Sequence, residues 1–381
     1  MKPYSLTLAG LLAGSLLGTS CLAQTVSGPT LLDPGAGLSQ PDSADPLYVP
    51  NRFELVYAED APGAGQRREA LVDVLVTVDA AGKVGRVKVL DGFHDPGVRR
   101  LVENAVKQAS FNPATAGGEP VAFENLELQV LQRGAYPPGI TADMREDLAK
   151  LADELAEKDF RGAERRIDSL LGRKAMRLFE LALLNDQLVS VYMETERVPE
   201  ALLASRVATG RSPAVQPSAE EQAASPDAVY PDSFLPPDLY VDALRKRVVL
   251  SLMNNQIGEA RQSFAELQQA AAQAGKDVVV TELQPQMDKV ETLLASEEPV
   301  GSAIRLIDEE WSYTMSSRRT FGVTGLDGRV DAVDVACGDQ PIRRLPFQND
   351  SEWRIPDSWG QCDLVFRGKN DSKFVLYEYL N

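Results

Sequence analysis

The sequence predicts a multidomain α+β protein in three parts: a β-β-α-β module, an α-helical hairpin array and a small C-terminal all-β domain. Three observations predict it. The chain has 381 residues, 44% of them apolar, which is more than one domain needs and enough for real cores. Apolar residues alternate with polar ones between 71 and 90 and again between 126 and 130, on either side of a stretch with helical period. From Thr141 to about Glu297 the period is helical, and from Gly301 onward short β-rich runs alternate with Gly and Asp turns.

The first 23 residues, MKPYSLTLAGLLAGSLLGTSCLA, have the layout of a secretory signal peptide. Lys2 is the positive n-region, Leu6 to Leu17 the apolar core, and Ala23 a small residue before Gln24. Two other readings stay open. An uncleaved anchor is long enough from Tyr4 to Ala23 to span a bilayer. Lipidation at Cys21 is the other, although Gly18 stands where Leu is usual. Each exports the mature chain, and membrane contact is expected only if the N-terminus is retained or lipidated. Residues 24–65 read as a linker or extended segment, with Pro29, Pro34, Pro41, Pro46 and Pro50 spread through it.

In the first module, 66–135, LVDVLVTV (71–78) and VGRVKVL (84–90) read as two strands. Asp79-Ala80-Ala81-Gly82-Lys83 turns between them, with Gly82 where positive φ is cheap. Asp95-Pro96 starts a helix as N-cap and first helical residue. Val98, Leu101, Val102, Ala105, Val106 and Ala109 then share one face. Pro113 stops the helix, Gly117-Gly118 forms a loop, and Leu126, Leu128 and Val130 alternate with Glu127 and Gln129 as a third strand. Phe111 is expected to seal the helix onto the hairpin, so that Phe111→Ala costs ~3–5 kcal/mol if fully buried.

In 141–297 the turns Asp159-Phe160-Arg161-Gly162-Ala163, Glu196-Arg197-Val198-Pro199-Glu200-Ala201 and Gln256-Ile257-Gly258-Glu259-Ala260 look alike. Ala163 and Ala201 are 38 residues apart, and Ala201 and Ala260 are 59 apart. A Pro- and Ser-rich acidic insert, 211–232, lies between the last two and accounts for the excess. Such a repeat is similar to a tetratricopeptide-type array of helical hairpins. The Trp, Gly and Tyr positions of that family do not match, and an ordinary helical bundle is the competing reading.

The C-terminal part, 301–381, carries strand-like runs at 313–315, 320–324, 330–335, 362–366 and 374–379. In an exported chain, Cys337 and Cys362 read as one disulfide, with two buried free thiols as the alternative. No catalytic, cofactor or metal site is read from the residues. The one histidine, His94, has no evident partners, and two cysteines and one His fall short of zinc ligation. The run Asp308-Glu309-Glu310 before Trp311 reads as a solvated helix end, with a sugar site as the minor alternative. Trp353 and Trp359 read as core rather than as a binding surface. The net charge of −17 excludes a nucleic-acid backbone as partner.

The run 75-LVTVDAAGKVGRVKVLDG-92, the helix residues Val98 to Val106, and 111-FNPATAGGEPV-121 resemble the C-terminal domain of TonB-type proteins. Asp79 and Gly82 match that family's Asp-x-x-Gly turn, Phe111 and Pro113 its Phe-x-Pro, and Gly118 and Pro120 its Gly-x-Pro. The resemblance implies a sheet edge that pairs with an extended peptide of a periplasmic or outer-membrane protein. Leu126, Leu128 and Val130 mark the candidate edge strand. The expected function is therefore non-enzymatic protein–protein interaction in the periplasm, through this module and the helical array. One alternative is a TonB-type energy transducer for outer-membrane transport. Against it, residues 1–23 contain no His, and the 28 residues of 24–51 reach only roughly 100 Å fully stretched. The other alternative is a cell-wall-acting enzyme with a C-terminal site.

Overall fold

The structure, a computed structural model, describes residues 30–31, 52–54, 70–93, 96–111, 114–116, 119–132, 139–173, 176–210, 233–337 and 343–380. Its elements are α+β throughout, with eight α-helices and several mostly antiparallel sheets among those residues.

The first module has its own core. Strands β3 (Ala70–Val78) and β4 (Val84–Phe93) form the expected hairpin, and α1 (Pro96–Gln108) packs against it. Val72, Val74, Val76 and Val78 alternate along β3, which puts all four on one face, and all are buried beside Val102 and Val106 of α1. Leu101 departs from expectation and is 45% exposed. It lies about 100° around the helix from Val102, outside a buried stripe centred on Val102 and Val106. A small hairpin not foreseen, β5 (Ala114–Ala116) with β6 (Glu119–Val121), precedes the third long strand, β7 (Phe123–Gln132).

Two short strands come from the segment expected to be linker. β1 (Thr30–Leu31) runs parallel to Trp353–Arg354. β2 (Arg52–Glu54) runs parallel to Gln129–Leu131 of β7. The first sheet is therefore ordered β2-β7-β3-β4.

The helical region consists of α2 (Ala142–Ala156), α3 (Phe160–Leu171), α4 (Leu178–Glu194), α5 (Val198–Ala208), α6 (Pro237–Met253), α7 (Ile257–Ala274) and α8 (Asp277–Leu294). Each packs on its sequence neighbour, as in a stacked array. The three look-alike turns are one structure used three times. Lys158, Glu196 and Asn255 all take positive φ, at 61°, 60° and 53°. The next amide in each case reaches back to a carbonyl in the final turn: Asp159 to Glu154 O, Arg197 to Tyr192 O, and Gln256 to Ser251 O. This is a Schellman-type helix stop. Ala163, Ala201 and Ala260 follow at equal distance, each in the first turn of the second helix of its pair, and are fully buried.

The C-terminal strands form two sheets. One is β1-β13-β10-β15-β8 and the other β12-β11-β14-β9. The ranges are β8 (Val300–Arg305), β9 (Glu310–Thr314), β10 (Thr320–Asp327), β11 (Val330–Cys337), β12 (Arg343–Pro346), β13 (Ser351–Arg354), β14 (Cys362–Gly368) and β15 (Lys373–Tyr379). The sequence showed β9, β10, β11, β14 and β15; β8, β12 and β13 are additions. Phe366 and Phe374 meet across the sheets at 4.8 Å between ring centroids. The array and these strands share one continuous core, from Met144 to Leu376. The change at residue 300 is thus a change of secondary structure within one packed body.

Gly258, the second residue of α7, shows how closely the two parts meet. A β-carbon there would lie inside contact distance of the Thr314 and Met315 carbonyl oxygens. Backbone cannot swing aside like a side-chain tip, so Gly258→Ala will cost ~1–3 kcal/mol through overpacking. Urea melts will read the loss, and an unchanged midpoint would show that the seam yields freely.

The structure closes the bridge between Cys337 and Cys362, which face each other on β11 and β14 with a sequence separation of 25. The chain-entropy model gives ~3 kcal/mol for a loop of this size. The double change Cys337→Ser with Cys362→Ser should lower stability by about that amount. A loss under about 0.5 kcal/mol would mean that strand pairing already closes the loop in the unfolded ensemble.

Candidate functional site

The candidate site is the edge of the first sheet, and its framing begins at the 79–83 turn. The Asp79 carboxylate accepts from the amides of Ala81 at 2.8 Å and Lys83 at 2.9 Å. Gly82 takes φ 78°, which a residue with a side chain adopts only at a cost. The Gly82 carbonyl then accepts from the Phe111 amide at 2.8 Å. Asp79, Gly82 and Phe111, scattered in sequence, are thereby joined: the hairpin turn holds the chain as it leaves α1. Phe111 is half-buried against the module's core, not enclosed. The expected cost of Phe111→Ala accordingly falls to about 2 kcal/mol, roughly half the value for a fully buried Phe. A loss of 4 kcal/mol in a thermal or urea melt would contradict the half-buried placement. Pro113, Gly118 and His94 lie outside the described residues.

The two long edges of the sheet differ. β4 pairs only with β3 among the described elements. Its pairing shifts register between Asp73 and Val74 and again between Val76 and Val78, and Lys83, Arg86 and Lys88 are exposed along it. Bulges and lysines are the means by which sheets resist adding strands. β7 pairs with β3 on one side, with Val130 opposite Val72, residue 128 opposite Val74 and residue 126 opposite Val76. The candidate residues Leu126, Leu128 and Val130 therefore stand at register positions of the α1-covered face, and Val130 is fully buried. What faces outward along the sheet plane is the β7 backbone. β2 lies against it at Gln129–Leu131, and the stretch Phe123–Leu128 has no further strand beside it among the described elements.

The C-terminal candidates are placed differently from the binding alternative. Trp311, Trp353 and Trp359 are 2%, 6% and 5% exposed and serve as core. Trp353 stacks on Phe321, and the Arg206 guanidinium lies 5.3 Å from the Trp311 ring centroid. Asp308 and Glu309 are not a helix end. They form a tight turn between β8 and β9 with φ of 54° and 69°. One open groove of about 440 Å³ lies between α7, α8 and the residues Met315 and Gln361. Its single carboxylate, Glu291, is 2.7 Å from Arg261. No helix among the described residues is long and apolar enough to cross a membrane.

Sequence reasoning missed a charged node between the array and the strands. Glu259, in the first turn of α7, is buried. It accepts three bonds from Arg206 of α5, the shortest at 2.5 Å, and one from Arg247 of α6 at 3.0 Å. Arg206 also donates to the Ser312 carbonyl of β9 at 3.0 Å. Burial raises the carboxyl's pKa, but the two guanidiniums outweigh it and hold the group below the usual range. In sequence these residues look like ordinary solvated helix charges, and no spacing marks them as partners.

No curated protein matches the chain. Residues 55–130 match the family model described as the Gram-negative bacterial TonB protein C-terminal. That span holds the β3–β4 hairpin, α1 and most of β7, so the first module is a TonB C-terminal domain.

Proposed function

We propose that this is a periplasmic protein of the cell envelope that binds other proteins, and that it does so without catalysis. The observation that carries the reading is a TonB C-terminal domain whose β7 has no outer strand over Phe123–Leu128 among the described residues and carries no Lys or Arg, while β4 on the other side is twice bulged and basic. Strand addition at β7 gives affinity through main-chain bonds, which suits an extended segment of an outer-membrane or periplasmic partner. The hairpin array supplies a second extended surface. It packs into one body with the C-terminal strands, so that body is a rigid platform beside the binding module.

A photo-crosslinking residue at Asn125, inside the open stretch, tests this in intact envelopes. One discrete envelope protein should be captured. The same probe on Lys88 of β4 should capture nothing. Equal capture from both edges, or none from either, would refute the reading. A motor-coupled energy transducer is separated by a further probe placed within residues 1–23, because it requires inner-membrane partners at the N-terminus.

A further inference from the structure

The N-terminal stretch does something that its composition does not suggest. It contributes β1 to the edge of the sheet containing β13 and β2 to the edge of the sheet containing β7. Both additions are parallel, and each is very short: two residues pair in the first and three in the second. β7 itself is ten residues long. The chain thus places a minimal strand of its own on the edge of the first sheet whose pairing shifts register once, where β4 shifts twice, and whose sequence has no Lys or Arg.

We infer that β2 is an internal occupant of the partner edge, a cis strand that an incoming segment must displace. This rests on β7 being the partner edge and adds the regulation of that edge. Arg52, Phe53 and Glu54 pair with Gln129, Val130 and Leu131. Phe53 stands in register with Val130, a residue of the α1-covered face, while Arg52 and Glu54 stand at the alternate positions. β2 thereby gives the pattern the edge accepts by register: an apolar residue opposite Val130, with polar residues opposite Gln129 and Leu131. The partner segment is expected to be extended, apolar in the Phe53 register, polar at its neighbours, and longer than three residues.

The competition has a physical basis. A tethered strand acts at an effective concentration on the order of mM, without having to bind tightly. A short free peptide of equal intrinsic affinity is therefore excluded at ordinary concentrations. A longer segment overcomes the tether by pairing along Phe123–Leu128 as well. Weak strands are screened out and long complementary ones admitted.

Amide hydrogen exchange on the full chain tests this, with a synthetic peptide copying residues 49–57, VPNRFELVY, as probe. Arg52→Pro and Phe53→Pro are made separately, because in a parallel pair only alternate amides face the neighbouring strand. In at least one variant, exchange at 129–131 should rise about tenfold or more while 70–78 keep wild-type protection. The peptide should restore the lost protection with saturation, and should bind the wild-type chain at least tenfold more weakly. Three results would overturn the inference: unchanged exchange in both variants, loss of protection spreading to 70–78, or no restoration by the peptide. If Asn125 still captures a partner in that event, the edge reading stands and only cis occupancy is lost. If the peptide restores protection but Asn125 captures nothing, cis occupancy stands and the envelope-partner reading fails.

Discussion

Glu259→Ala will cost ~3–5 kcal/mol, because it leaves two guanidiniums facing one another in a buried seam. Arg206 and Arg247 both point at Glu259, and neither has another carboxylate among the bonds it makes there. The loss will appear as a lower urea midpoint, and it should be shared by probes in the array and in the C-terminal strands, because Arg206 also holds Ser312 of β9. A double-mutant cycle with Arg206→Ala will show strong coupling, with the second change costing much less than the first. The pH dependence has a definite sign. The folded-state pKa of Glu259 is depressed, so its contribution is present above the unfolded carboxylate range and is lost as pH falls through the folded value. The gap between wild type and Glu259→Ala should therefore narrow in acid. A gap that stays constant down to the lowest pH at which the protein is folded would show that Glu259 is not ionised in the native state.

Arg318→Met will have an effect of similar size at the other end of the seam. Arg318 is 2% exposed and forms no salt bridge with a carboxylate among the described residues. Its Nη2 donates to the carbonyls of Leu293 at 3.0 Å and Ser296 at 2.8 Å. Its Nη1 donates to the carbonyls of Glu298 at 2.5 Å and Glu378 at 3.0 Å. The guanidinium thus closes the C-terminus of α8, where the last carbonyls lack intrahelical donors and the helix dipole favours a cation. Methionine retains much of the volume and removes every donor, so the buried Glu378 carbonyl and the part-buried Ser296 and Glu298 carbonyls lose this partner at ~1–3 kcal/mol each, while Leu293 O keeps its bonds from Ser296. A total of ~4 kcal/mol is expected by urea unfolding, with Arg318→Lys recovering only part because an ammonium lacks the planar fork. A loss below 1 kcal/mol would mean that water takes over the carbonyls.

The same site has its own pH signature. Glu378 is buried beside Arg318, and burial pushes its carboxyl pKa up, although bonds from Tyr313 at 2.6 Å and from Ser316 pull it down. With the folded value raised, stability is full below the unfolded carboxylate range and declines as pH rises through the folded value. Removing the nearby cation makes that ionisation harder. The deficit of Arg318→Met should therefore widen with rising pH, in the same direction as the gap at Glu259. Urea melts at pH 4 and 7 test this, with Arg318→Lys as the control, because it keeps the cation and should show a smaller widening.

The array was legible because helix stops leave local marks. A residue able to take positive φ, then a new N-cap, then an alanine four residues later recurs at Lys158, Glu196 and Asn255, and each position depends on its own few neighbours. The Asp79–Gly82 turn was legible for the same reason. Leu101 was misjudged because a wide apolar stripe in sequence does not say where its buried centre lies. β8, β12 and β13 were missed because strands of four to six residues with mixed side chains, such as VGSAIR and SEWR, owe their state to the strands beside them.

By itself, the sequence determined the order of the three parts, the hairpin turn, the three helix stops, the cysteine pair and the TonB-like character of the first module. All of these rest on backbone preferences or residue chemistry within a short window. Only the tertiary structure decided that the array and the C-terminal strands share one core, that Glu259 and Arg318 lie in the seam between them, and that a linker-like stretch lends strands to two sheet edges. Those outcomes depend on contacts between residues tens to hundreds of positions apart. A charged residue or a three-residue strand has no period of its own and takes its meaning from what the fold sets against it.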